Sequence, residues 1–164
     1  MKYLPNISRH FNYQLTGLGW AKATFGNDKQ IITFDVSYLS DPLFDLCEAL
    51  CRLLENETRS EKIFFADEPG EHRLDLSIIE TGKLRVEIYW SDDWEGTATV
   101  PTISTAKKLI YEDIDTLKDF IMIVVLGIDA LLESTTIEGY KDKWHLFDFP
   151  ENSYNKLKQL VQHA

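Results

Sequence analysis

The chain has 164 residues with a formal net charge of −10, from 27 acidic against 17 basic side chains, and 44% of it is hydrophobic. That length suits one domain with a full core, and this apolar content excludes a disordered chain. The negative excess opposes binding to a phosphate backbone or an anionic membrane, which Lys and Arg would have to hold, and permits a basic partner or simply good solubility.

Met1 to Asn6 opens onto no apolar stretch of signal-peptide length, and no run approaches the ~20 apolar residues that cross a bilayer. The longest, Phe120 to Leu126, reads as buried helix. Alternation at period two marks the chain as far as Trp90. Phe11, Tyr13 and Leu15 alternate with Asn12 and Gln14, and a turn at Gly17-Leu18-Gly19 leads into a strand from Trp20 to Phe25. Gly26-Asn27-Asp28 then turns the chain into Ile32, Phe34, Val36 and Tyr38, which completes a meander. Ser40-Asp41-Pro42 supplies an N-cap acceptor and a proline at the first helical position, where its missing N–H costs nothing. Leu43, Leu46, Cys47, Leu50, Leu53 and Leu54 follow at helical spacing, which predicts an amphipathic helix over 41–56 that ends at Asn56-Glu57-Thr58.

A second meander comes next: Ile63 to Ala66, a type II turn at Glu68-Pro69-Gly70-Glu71, then Leu74, Leu76 and Ile78. A hairpin at Glu80-Thr81-Gly82-Lys83 leads into Leu84, Val86, Ile88 and Trp90. Ser91 to Thr105 reads as polar turn, and Lys107 to Ile114 fits either a seventh strand or the first turns of a helix. Thr116-Leu117-Lys118-Asp119 matches a capping box ahead of the stripe Leu117, Phe120, Ile121, Val124, Val125, Ile128, Leu131 and Leu132, which predicts a largely buried helix over 117–133. Tyr140, Trp144, Phe147 and Phe149 form an aromatic connection without regular structure, pinned to the core by its rings. A last amphipathic segment turns Tyr154, Leu157, Leu160 and Val161 inward. With no linker and no internal repeat, the expected fold is a single α+β domain over 1–164. It has a mostly antiparallel sheet of about six strands, two three-strand meanders joined by a helix, with helices packed on one face.

No constellation announces a chemistry. Gly17-Leu18-Gly19 has lysine where a dinucleotide fingerprint needs its third glycine, and it lies between strands. Cys47 and Cys51 stand four apart on one helix, a poor geometry for a disulfide, and no second Cys or His pair completes a zinc site. They read as small core residues of a reduced, cytoplasmic protein, and no metal or cofactor is expected. Asp67, Glu68, Glu71 and His72 could perform acid–base work, but their Pro-Gly centre reads more simply as an exposed hairpin tip. For binding, Asp92, Asp93 and Glu95 surround Trp94, no Lys or Arg occurs from Val86 through Ala106, and Glu112, Asp113 and Asp115 follow. If those segments lie together they form an acidic surface with an aromatic anchor, which steers a basic partner and supplies a desolvated contact. The alternative is that the charges only keep the surface wet and that Trp94 is a core residue closing the end of the sheet. Asp67, Glu68 and Glu71 form a second candidate patch.

Thr16-Gly17-Leu18-Gly19-Trp20-Ala21, Val36-Ser37-Tyr38-Leu39-Ser40-Asp41-Pro42-Leu43, Asp67-Glu68-Pro69-Gly70-Glu71, and Gly139-Tyr140 through Trp144 to Phe149-Pro150 are successive landmarks over most of the chain. In that order they resemble those of small bacterial immunity proteins of polymorphic toxin and contact-dependent growth inhibition systems. The resemblance implies a cytoplasmic protein that binds one cognate toxin domain and blocks it, and it brings no catalytic residues. Many such toxin domains are nucleases with basic clefts, which an acidic inhibitor can occlude. The alternatives are a small enzyme using Asp67, Glu68, Glu71 and His72, or a scaffold that self-associates through a sheet face or edge.

Overall fold

The computed structural model describes residues 8–94 and 107–164. Over these residues the period-two segments are strands β1 (His10–Gly17), β2 (Trp20–Gly26), β3 (Ile31–Ser37), β4 (Ser60–Ala66), β5 (Glu71–Glu80), β6 (Lys83–Ser91) and β7 (Lys108–Thr116). The helices are α1 (Pro42–Leu54), α2 (Leu117–Thr135), α3 (Ile137–Trp144) and α4 (Glu151–Gln162). The class is α+β. The strands divide into two antiparallel sheets, β1-β2-β3 and β4-β5-β6-β7, where one sheet of about six was expected. The two meanders are present, but α1 carries the chain between them and no ladder joins β3 to β4. Alternation says which face of a strand is buried and nothing about its lateral neighbour, so it could not separate one sheet from two.

The ambiguous segment 107–114 belongs to β7, and most of the turn-like stretch ahead of it, including Glu95, lies outside the described residues. β7 is an edge strand, and alternate residues turn their carbonyls toward that edge. Those of Ile110, Glu112 and Ile114 accept hydrogen bonds from the side chains of Gln30, Asn27 and Arg9. The first sheet therefore covers an edge that would otherwise template another strand.

Aromatic rings join the sheets: Phe65 of β4 meets Phe25 and Phe34 edge-on at 6.1 and 5.5 Å. The helices bury their stripes against the same core. α2 approaches β1 closely at Gly127, where an added Cβ would lie 2.6 Å from the Phe11 carbonyl oxygen. α1 packs on β4 and α4, with Ser153 donating to Glu48 at 2.6 Å and Arg52 forking onto Glu61 at 2.8 and 2.9 Å. Among the described residues no single helix is long and apolar enough to cross a membrane.

Local expectations fare unevenly. Thr116 Oγ1 accepts from the Asp119 N–H at 3.0 Å as a capping box requires, but the Thr116 N–H goes to Asp115 at 2.7 Å rather than to Asp119. Asp41 occupies the N-cap of α1 with Pro42 behind it, yet its side chain makes no capping hydrogen bond. Asn56, at φ 57°, stops α1 by leaving the right-handed region. The 68–71 turn is not type II. The tight turn instead spans 67–70, where the Asp67 N–H donates to the Gly70 carbonyl and Pro69 sits third behind a cis peptide bond. The aromatic connection contains a regular element after all. Thr136 caps α3 by accepting from the Gly139 N–H, and Tyr140 and Trp144, four apart, turn one face of this short helix into the core.

Candidate functional site

The turn between β4 and β5 meets the end of β6 through one side chain. Trp94 donates its indole N–H to the carbonyls of both Asp67 and Gly70, at 2.9 and 2.6 Å. This fastens Asp92 and Asp93 beside Asp67 and Glu68, so segments more than twenty residues apart in sequence share one end of the second sheet. Gly70 permits the approach. At φ 91° it holds a conformation that L side chains rarely adopt, and a Cβ there would fall 2.4 Å from the Ser91 carbonyl oxygen and 2.5 Å from Trp90.

The first sheet contributes to the same end. Ser37 Oγ donates to Glu68 at 2.8 Å, and Ser40 Oγ accepts from the Ala66 N–H at 3.0 Å. Asp35 of β3, itself paired with Lys22 at 2.9 Å, lies close enough to act on Asp67. The Asp67 carboxyl is raised above its usual range, first by burial and then by its neighbours Asp35 and Glu68, against a lowering hydrogen bond from the backbone. Among the described residues no Lys or Arg forms an ion pair with Asp67, Glu68, Asp92 or Asp93. Lys108, exposed and opposite Trp90 in register, borders the group.

Glu71 and His72 are not part of an exposed hairpin tip. Glu71 is 1% exposed and His72 7% exposed, because β5 begins at Glu71 and both residues are already paired on two sides. The His72 ring stacks on Phe34 at 3.9 Å and leans on Trp90 at 4.7 Å. Burial drives its pKa down from 6.5 to about 4, with a small opposing push from Asp35. A buried neutral imidazole of this kind is a core ring and a poor surface acid or base. The second candidate patch therefore reduces to Asp67 and Glu68.

The other acidic segment lies elsewhere. Asp113 is opposite Val86 and Asp115 opposite Leu84, whereas Asp92 follows the Trp90–Lys108 pair, roughly 20 Å further along the strand direction at ~3.3 Å per residue. Asp113 and Asp115 face Arg9, at 2.7 and 3.2 Å, and Asp115 is buried. Only Glu112 projects outward, opposite Glu87. So 92–94 and 112–115 do not form one surface. A cleft of about 690 Å³ opens beside Arg9, lined by Asn27, Gln30, Arg85, Glu87 and Glu112 among others, with charges of both signs.

Asp35, Ser37, Trp90 and Arg9 escaped the sequence reading. Trp90 carried a faint signal as a tryptophan at a strand end; the other three carried none, since their roles depend on contacts across sheets. Among the described residues no group of His, Cys, Asp and Glu could hold a metal ion. Cys47 and Cys51 are buried and free, and burial pushes both thiols up, Cys51 to about 11. Comparison with protein families, curated proteins and solved structures gave no match to this chain.

Proposed function

We propose that this chain is an immunity protein that binds a basic toxin domain, a nuclease by preference, and occludes its cleft with the acidic end built on Asp67, Glu68, Asp92, Asp93 and Trp94. The observation that carries this reading is the Trp94 clamp. It gathers carboxylates from two segments, with no ion pair to a Lys or Arg among the described residues, around a half-buried tryptophan. Carboxylates held in place before the encounter attract a cationic cleft over a Debye length, and a fixed aromatic ring adds contact area at little entropic cost. Glu95 extends the same acidic run. The resemblance in the turns and caps supports the same class of function, and two free thiols suit the reducing cytoplasm where such a protein acts.

The test is co-purification with the product of the neighbouring gene, followed by binding kinetics over a salt titration. A neighbour with no toxin-like C-terminal region, or no complex, ends the proposal. With a complex in hand, the quadruple variant Asp67→Asn, Glu68→Gln, Asp92→Asn, Asp93→Asn should associate about tenfold more slowly and lose most of its salt dependence, with dissociation less affected. Unchanged kinetics would move the interface to another face.

A further inference from the structure

Behind the cap of α1, four polar atoms from three parts of the chain are buried together. They are Tyr13 Oη from β1, Asp41 Oδ1 from the start of α1, and Tyr140 Oη and Trp144 Nε1 from α3. Each has less than 1 Å² of accessible surface, and none has a hydrogen-bond partner among the described residues. The groups are neighbours: the Trp144 ring lies 6.2 Å from both the Tyr13 and the Tyr140 ring, and the Asp41 charge acts on both phenols. Tyr13, Tyr140 and Trp144 are 0% exposed.

A buried donor or acceptor without a partner loses its hydration and gains nothing, and four in one place would rival the net stability of an ordinary domain. Buried polar atoms of native proteins are satisfied by protein or by ordered water. We infer that Tyr13, Asp41, Tyr140 and Trp144 form a buried site for about one or two ordered water molecules.

The donor set fits water in particular. The Trp144 N–H can only donate and an ionised Asp41 can only accept, while each phenol does either, so a water can accept a hydrogen bond from the indole and donate one to the carboxylate. Burial holds both phenols protonated by raising them well above their usual range. A metal cation would find one anionic oxygen, too few for its coordination shell, and an anion would meet the Asp41 charge. A larger ligand has no route to atoms this enclosed. The water would join β1, α1 and α3.

The wild-type chain provides the test by two measurements. A high-resolution crystal structure should place water oxygen within hydrogen-bond distance of Trp144 Nε1 and Asp41 Oδ1. In solution the indole proton of Trp144 should show a direct cross-relaxation peak to a long-lived water. The Tyr140→Phe variant, which removes one partner and keeps the ring, should shorten that water's residence about fivefold to tenfold, as expected for one lost hydrogen bond. Should that variant fail to fold, the wild-type measurements decide alone. Direct hydrogen bonds among the four side chains with no water density, or an indole proton without a water peak, would overturn the inference.

Discussion

Two acidic segments that look alike in sequence meet opposite fates. At the β4–β5 turn and the end of β6, Asp67, Glu68, Asp92 and Asp93 are gathered by the Trp94 indole, exposed or half-buried and with no ion pair to a described Lys or Arg. On β7, Asp113 and Asp115 turn inward beside Arg9, which forks onto Asp113 and also donates to the Ile114 carbonyl. The first set of charges is available to a partner; the second is consumed in joining the sheets. Acidity along a chain therefore measures potential for binding only after the internal cations have been assigned.

The contrast can be attacked at its supports. Gly70→Ala should have the largest effect, about 4 kcal/mol, because its Cβ meets a backbone oxygen at 2.4 Å in a conformation already strained for alanine. Chemical denaturation measures it, and a loss below 1 kcal/mol would mean that the turn is not clamped. Arg9→Met should cost about 3 kcal/mol at neutral pH by leaving Asp115 buried beside Asp113 without compensation. That penalty should shrink on acidification, since burial already raises the Asp115 pKa and a protonated carboxyl needs no cation. A pH-independent loss would assign the effect to packing of the arginine stem.

His72 supplies a third handle. Its native pKa of about 4 lies below its ordinary 6.5, so the unfolded chain binds more protons between those values. Its contribution is fully present above pH 6.5 and is lost as pH falls toward 4, at about 2–3 kcal/mol over the window. Asp41, raised to about 6 chiefly by burial, works in the opposite direction, so the difference between wild type and His72→Phe is the quantity to follow. Identical pH profiles for the two proteins would show that the imidazole is hydrated in the folded state. Trp94→Phe should have the smallest effect, about 1 kcal/mol, by removing the N–H that the Asp67 and Gly70 carbonyls share while keeping a ring. Its sharper signature is a slower association with a basic partner, because the carboxylates are no longer held together.

Much of the fold was legible because burial follows local periodicity. Six strands, the 41–56 and 117–133 helices and the last amphipathic segment all match observed elements, and the stripe Phe120, Ile121, Val124 and Ile128 is buried as expected. Short-range statistics failed where a local pattern has two solutions. Lys107 to Ile114 could be strand or helix until β6 offered it a ladder. The connection through Tyr140 and Trp144 is only one face of an eight-residue helix, too brief for its period to stand out. The Glu68-Pro69-Gly70 turn carries residues compatible with more than one turn type.

The candidate site was legible only in part. Asp92, Asp93 and Trp94 stood out as an acidic, base-free run with an aromatic ring, and Asp67 and Glu68 as residues of a tight turn, but their union depends on an indole spanning from one loop to another. By itself the sequence determined the α+β class, the faces of its strands and helices, and the sign of its charge, because these follow from the order of apolar, polar and ionised side chains along the backbone. Tertiary structure alone decided which of the described carboxylates are taken up in internal ion pairs, which histidine becomes a core ring, and where one sheet ends and the next begins. Those outcomes rest on contacts between residues far apart in the chain, and Coulomb attraction, desolvation and hydrogen bonding act through space.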